Sequence, residues 1–255
     1  MSNPGNNQLR ITVIGASGLI GSKVVERLTA RGHDVVASSR STGVDVLTGE
    51  GLADALVGAQ VLVDVTNSPS FEDNAVMAFF TTSTSNLVAA AKEAGVSHYV
   101  ALSIVGADGL PESGYLRAKV AQEHAITGSG LPYTIVRATQ FAEFAEAITE
   151  SLTVGDEVRV PDGAIQLITA DDVAAEVASV AMAGPVNGIV NIGGPEKMPF
   201  ADLARAVLAK QGSDKAVVVD PQATYFGTPV DDASLVTGEG AVLGTVRFSD
   251  WLAAR

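Results

Sequence analysis

The chain contains no cysteine, which excludes disulfides, thiolate metal sites and a cysteine nucleophile. Its three histidines, His33, His98 and His124, lie far apart without ligand spacing such as HExxH, so no metal centre is expected. Basic residues are scarce. Sixteen Lys and Arg stand against 29 Asp and Glu, a net charge of −13, and no Lys/Arg cluster offers the basic face that nucleic acid requires. No apolar run approaches the roughly 18 residues of a membrane span. The polar start MSNPGNNQLR also lacks the apolar core of a signal peptide. Neither nucleic acid nor a membrane is an expected partner, and the cytoplasm is the expected location.

What is present is a core. Hydrophobic residues make up 47% and charged residues 18% of 255 positions, enough apolar surface to exclude disorder over most of the length. Residues 1–8, rich in Asn, Gly and Pro, read as a flexible tail. Residues 9–255 read as one domain, with residues from about 141 onward building a small substrate lobe. Apolar patterning predicts strands at 9–14, 34–38, 61–65, 98–102 and 133–137, alternating with helices at 19–30, 52–57, 71–94 and 115–127. That alternation predicts an α/β fold, a doubly wound parallel sheet. Later segments are less regular: helices at 141–152, 172–182 and 200–210, and extended segments at 157–160 and 188–192.

GASGLIG joins the first strand to the first helix, with glycines at 15, 18 and 21. Three glycines at this spacing occur by chance about 0.26 times in a chain this rich in glycine, so the spacing alone is weak. Its place at a strand–helix junction is what makes it informative. Glycines let the backbone turn tightly and approach a pyrophosphate, which free amides of a helix N-terminus stabilise. Gly15, Ser17, Gly18, Leu19, Ile20 and Gly21 are therefore the candidate phosphate cradle, the alternative being a glycine turn for close helix packing. The second strand ends in Ser38, Ser39 and Arg40. A carboxylate there would select a ribose 2′-hydroxyl, whereas an Arg accommodates a 2′-phosphate. NADP(H) is favoured over NAD(H), unless Arg40 is a plain surface residue.

With these motifs, and with YLRAK further on, the sequence resembles the short-chain dehydrogenase/reductase superfamily. RATQF (Arg137 to Phe141), DDVA (Asp171 to Ala174) and NIGGPE (Asn191 to Glu196) are similar to its atypical, NmrA-like branch. The resemblance implies a Rossmann-like sheet with a small C-terminal substrate lobe. It also implies adenine contacts near Asp45 and Val46, cofactor contacts near Thr66 and Asn67, and a homodimer.

Tyr115 and Lys119 stand four apart near the start of a predicted helix, so both face one side. Chance would give such a YxxxK pair about 0.09 times here. An ammonium beside a phenol lowers its pKa towards neutrality and suits it to general acid catalysis. The resemblance implies Tyr115 as proton donor, Lys119 on the nicotinamide ribose and Ser103 orienting the substrate oxygen. Where relatives carry an Asn for a proton relay, this chain has Phe80, with Asn86 two turns later. An exposed aromatic–lysine pair is the other reading of YxxxK.

Three functions stay open. The first is an NADPH-dependent oxidoreductase reducing a small carbonyl or quinone-like substrate. The second is an NADP(H)-binding redox sensor or regulator without catalysis, and the third an NADP-dependent isomerase or epimerase. Weaker features have plainer explanations. Asp171 and Asp172 suit helix capping. Glu143, Glu146 and Glu150 suit a solvated helix face. Phe141, Phe144 and Phe226 suit either an apolar pocket or the core.

Overall fold

The computed structural model describes residues 8–255; the tail expected over residues 1–8 lies, Gln8 apart, outside them. The first half alternates as β1 (Arg10–Ile14), α1 (Leu19–Ala30), β2 (Asp34–Ser38), α2 (Leu52–Ala55), β3 (Val61–Asp64), α3 (Asp73–Glu93), β4 (His98–Ile104), α4 (Gly114–Thr127) and β5 (Tyr133–Ala138). There follow β6 (Gln140–Phe141), α5 (Ala145–Ser151), β7 (Thr153–Val154), β8 (Glu157–Val160), β9 (Ala164–Ile168) and α6 (Ala170–Met182). The chain ends with β10 (Gly188–Gly193), β11 (Lys197–Pro199), α7 (Phe200–Gln211), β12 (Ala216–Val219), β13 (Val242–Leu243) and α8 (Phe248–Ala253).

Seven strands make one parallel sheet in the order β13-β10-β5-β4-β3-β1-β2. This is a Rossmann-like α/β fold. All of β3, and β1 from Ile11 onward, is buried, because helices cover both faces of the sheet. On one face Val24 of α1 and Val173 and Val177 of α6 pack over Val13 and Val63. On the other, Leu56 and the α3 residues Leu87 and Ala91 pack over Leu62 and Tyr99. Strand order reverses at β1, which has β2 on one side and β3 on the other. The crevice beyond the C-terminal ends of those strands is where open parallel sheets bind ligands.

Residues after 139 also form two three-stranded sheets, β11-β9-β6 and β12-β8-β7. Val160, Ile165, Phe200, Leu203 and Val207 pack in one cluster with Leu110 and Leu116 of the first half. That cluster seats this region against the first turn of α4, where Tyr115 lies. The single helix predicted at 141–152 is instead β6, a 3-10 turn and α5, because Phe141 pairs with Ile168 of β9. Its acidic stripe is not wholly solvated either. Glu143 accepts the Ala170 amide through both carboxylate oxygens at 3.1 Å, which caps α6, whereas Glu146 and Glu150 are exposed. Among the described residues no helix is long and apolar enough to cross a membrane.

Candidate functional site

The glycine turn is built from three different constraints. Gly15 has φ +87°, and a Cβ there would lie 2.9 Å from the Val65 carbonyl oxygen just past β3. At Gly21 a Cβ would lie 2.1 Å from the Gly15 carbonyl oxygen, so the first turn of α1 seats directly on the loop. Gly18 is different. Among the described residues its only close neighbour would be the Gly15 oxygen at 3.3 Å, and both Gly18 and Ser17 are exposed. The Gly18 backbone therefore presents an open face at the crevice. Among the described residues no side chain caps α1, and no acidic residue stands in its first turn, which leaves its leading amides open to an anion. These features fit a pyrophosphate. Ile20 is buried, which leaves only its backbone for such a contact, whereas Leu19 is exposed. Ser38 is buried, and its carbonyl accepts the Gly15 and Ala16 amides at 3.0 and 3.1 Å, so it braces the turn from beneath.

After β2, Ser39 opens a short 3-10 turn of Arg40–Thr42 whose ends cap each other. The Arg40 side chain is 68% exposed, and its Nε donates to Asp45 at 3.2 Å. Ser39, Ser41 and Thr42 hydrogen-bond one another within the same turn. Amides of Leu47 and Thr48, together with Arg40, hold the Asp45 carboxyl below the usual carboxylate range. Asn86 donates to the Val46 and Leu47 carbonyls at 2.9 and 3.0 Å. The loop bearing Asp45 and Val46 is thereby tied to α3.

At the neighbouring strand ends, the Thr66 amide and hydroxyl both donate to Asp64 Oδ1, at 3.1 and 2.7 Å. Asn67 Oδ1 accepts the Tyr115 hydroxyl at 2.8 Å. Ser113 caps α4 by accepting the Leu116 amide, which fixes the helix start and the Tyr115 ring. That ring lies between Phe71 and Phe80, with centroids 5.5 and 6.0 Å away. Burial pushes the Tyr115 phenol up to about 12 against the smaller, opposing effect of Asn67. The lowered phenol expected from a neighbouring ammonium is thus corrected: desolvation raises it, and the only opposing influence is Asn67.

Lys119 accounts for the difference. It is 3% exposed and donates to the Leu102 carbonyl at 2.8 Å and to Gln122 Oε1, with Nζ 4.4 Å from the Phe80 ring centroid. The family's relay position thus supplies a ring face to the ammonium, not an amide. Gln122 continues to Asp64 Oδ2 at 2.9 Å, which also accepts the Tyr99 hydroxyl at 3.0 Å. Ser103 is equally engaged: its hydroxyl donates to Glu123 Oε1 at 2.5 Å, and Glu123 forms a bidentate pair with Arg137 at 2.9 and 2.6 Å. The structure thus joins Tyr115 to Asn67, and joins Lys119 and Ser103 to a buried network through Gln122 and Glu123. Asp64, Gln122 and Glu123 were missed by the sequence reading. Their only signal is polar residues at positions that the strand and helix patterns assign to buried faces.

Burial lowers the Lys119 ammonium to about 8, against the raising influence of Asp64 and Glu123. A folded-state value below the ordinary 10.5 of the unfolded chain means the native state sheds its proton first. The burial penalty is then fully present below about pH 8 and is relieved as pH rises towards 10. Against Lys119→Met, which carries no charge, the wild type is expected to gain stability between pH 8 and 10 in denaturant melts. Parallel pH profiles for the two proteins would contradict this burial of charge.

Comparison with known proteins decides the family. A family model described as NAD(P)H-binding matches residues 15–183, from the first glycine of the turn to the end of α6. The chain belongs to this NAD(P)H-binding family. The resemblance to the atypical, NmrA-like short-chain dehydrogenases/reductases agrees with this family. It is 30% identical over 226 residues to the chloroplastic divinyl chlorophyllide a 8-vinyl-reductase of Oryza sativa subsp. indica, covering 75% of this chain and 56% of that one. It is 24% identical over 149 residues to the photosystem II assembly factor Ycf39 of a Synechocystis strain, covering 53% and 46%. The chain spans about half the length of these curated relatives. The fold is similar to the NAD complex of a Thermus thermophilus UDP-glucose 4-epimerase, with TM-score 0.68, 22% identity, and 89% and 91% of the two chains covered. In this NAD(P)H-binding fold Asp171 and Asp172 are structural. Asp171 pairs with Lys23 and Arg27 of α1 at 3.1 and 3.4 Å, and Asp172 accepts the Thr169 hydroxyl beside the α6 cap.

Proposed function

We propose that this protein is an NADPH-dependent oxidoreductase that reduces a small carbonyl or quinone-like substrate, with Tyr115 as proton donor. The observation that carries the reading is the place of that phenol: its hydroxyl stands at the strand ends on Asn67 at 2.8 Å, with its ring at the capped start of α4. Burial keeps it protonated at neutral pH, so it has a proton to give. Reduction needs an acid, because the carbonyl oxygen takes up a proton as the carbon accepts hydride. Bound NADPH supplies that hydride. Asn67 keeps the Tyr115 hydroxyl oriented at the strand ends until a substrate oxygen replaces it.

The buried groups then have positioning roles. Lys119 ties α4 to the Leu102 carbonyl, and Ser103 ties β4 to the same helix through Glu123. In the roles that the resemblance implies, Lys119 meets the ribose and Ser103 the substrate oxygen by exchanging one of these bonds. A sensor that only binds NADP(H) has no use for a proton donor. The rice relative is named a reductase, of a vinyl group and not of a carbonyl, which supports reduction as the reaction class.

Arg40 supports the choice of cofactor. A 2′-phosphate beside its exposed guanidinium gains charge-assisted hydrogen bonds that a 2′-hydroxyl does not. Arg40→Ala is expected to weaken NADPH binding by about 10- to 100-fold and to leave NADH binding nearly unchanged. Fluorescence titration of both cofactors checks this. Equal losses would remove Arg40 from the phosphate site.

A further inference from the structure

A strained residue follows Tyr225, which shares an apolar cluster with Tyr115. Among the described residues two non-glycines have positive φ, Asn187 at 51° and Phe226 at 46°. Asparagine tolerates that region, but for a bulky ring it is an outlier. Gly227 follows at 81°, and Tyr225 and Thr228 exchange both backbone hydrogen bonds across the pair, at 2.8 and 3.0 Å. This is the tight two-residue turn that Asn-Gly sequences favour. Burial does not offset the strain, because Phe226 is 60% exposed. Among the described residues its one aromatic neighbour is Tyr225, edge-on with centroids 4.7 Å apart.

Tyr225 sets where that ring stands. Its hydroxyl donates to Gln140 Oε1 at 2.9 Å, just past the C-terminal end of β5. Tyr225 is buried in the same apolar cluster that Tyr115 packs against, and Tyr115's phenol adds to the burial that raises its pKa. From a separate segment, Phe71 is 68% exposed with its ring 5.5 Å from Tyr115. Phe71 thus borders the candidate proton donor directly, and Phe226 stands next to it through Tyr225. A strained ring that keeps most of its face in solvent, with Tyr225 against one edge, points to a contact made with a ligand.

We propose that the Phe226–Gly227 turn is the specificity element of the site, and that the substrate carries a flat apolar ring system lying against Phe226 and Phe71. This deepens the reductase reading and rests on it. The ring system brings its carbonyl to Tyr115, and stacking replaces hydrogen bonds as the source of selectivity. An aliphatic carbonyl of similar size lacks the face that the two phenylalanines grip.

The test is Phe226→Asn, with thermal melts and calorimetric titration of 2-naphthol, an unreactive flat phenol, into the NADP⁺-loaded protein. Asn-Gly suits the turn, so the variant is expected to melt no lower than wild type while binding 2-naphthol about tenfold more weakly. Equal affinities, or a variant that melts lower, would overturn the proposal. Absence of wild-type binding to 2-naphthol would overturn it too, and NADPH consumption with aliphatic carbonyls would then leave the reductase reading standing. Ring binding weakened by the substitution, without turnover of any carbonyl, would keep the ring site and remove the reductase reading.

Discussion

Tyr115→Phe is expected to lower kcat by about 10²- to 10⁴-fold, the usual contribution of a positioned general acid. The substitution removes one oxygen and keeps the ring against Phe71 and Phe80, so the start of α4 should stay in place. NADPH affinity should not change, because the glycine turn and Arg40 are untouched. Loss of kcat without loss of cofactor binding is the signature of a group that acts in the transition state alone. The hydroxyl also leaves Asn67 Oδ1 with only the Ser68 amide, at 2.9 Å. Asn67 is exposed, so water replaces the lost donor at little cost. Full turnover by the phenylalanine variant would end the proton-donor assignment.

The second large effect is expected at Gly21→Ala. A methyl there meets the Gly15 carbonyl oxygen at 2.1 Å and the Gly15 carbonyl carbon at 2.7 Å. Both are backbone atoms of a turn already fixed by φ +87° and by the Ser38 carbonyl. Relief requires α1 to move off the loop, which costs about 1–3 kcal/mol as overpacking does elsewhere. It also carries the free amides away from the pyrophosphate position, so NADPH binding should weaken by about 10- to 100-fold. A melting curve and a cofactor titration read the two effects together. An alanine variant with wild-type affinity would mean that this contact does not shape the cradle.

The first half of the fold was legible because each of its elements carries its own pattern. β1 and β3 are short apolar runs, α1 begins after Gly18 and ends at Arg31-Gly32, and the predicted bounds of α1 and β2 match those observed. The second half was harder because its strands are short and their partners distant. β12 pairs with β8, and β9 places Gln166 in the middle of a buried strand. Gln166 reads as polar, yet it accepts the Thr237 amide and donates to the Gly194 carbonyl. No local pattern shows such pairings.

At the site the balance is similar. The glycine turn, Arg40 and Tyr115 could be named from motif and spacing. The buried network could not: Gln122 meets Asp64 from 58 positions away, and Glu123 meets Arg137 only once α4 has packed against the sheet. The raised Tyr115 phenol was hidden for the same reason. Spacing placed Lys119 on the right face, but only packing shows that the ammonium turns to Leu102 and Gln122. Phe226 gave no turn signal, since Phe-Gly is not the dipeptide that such turns favour.

The proposed function stands on hydride transfer from NADPH to a carbonyl. Its most direct test follows NADPH consumption by the wild-type protein against a panel of ketones, aldehydes and quinones, with NADH as the control cofactor. The expected result is consumption of NADPH, with little or none of NADH, on at least one carbonyl of the panel. Tight NADPH binding with no consumption on any of them would contradict the account and favour a protein that senses the cofactor without using it.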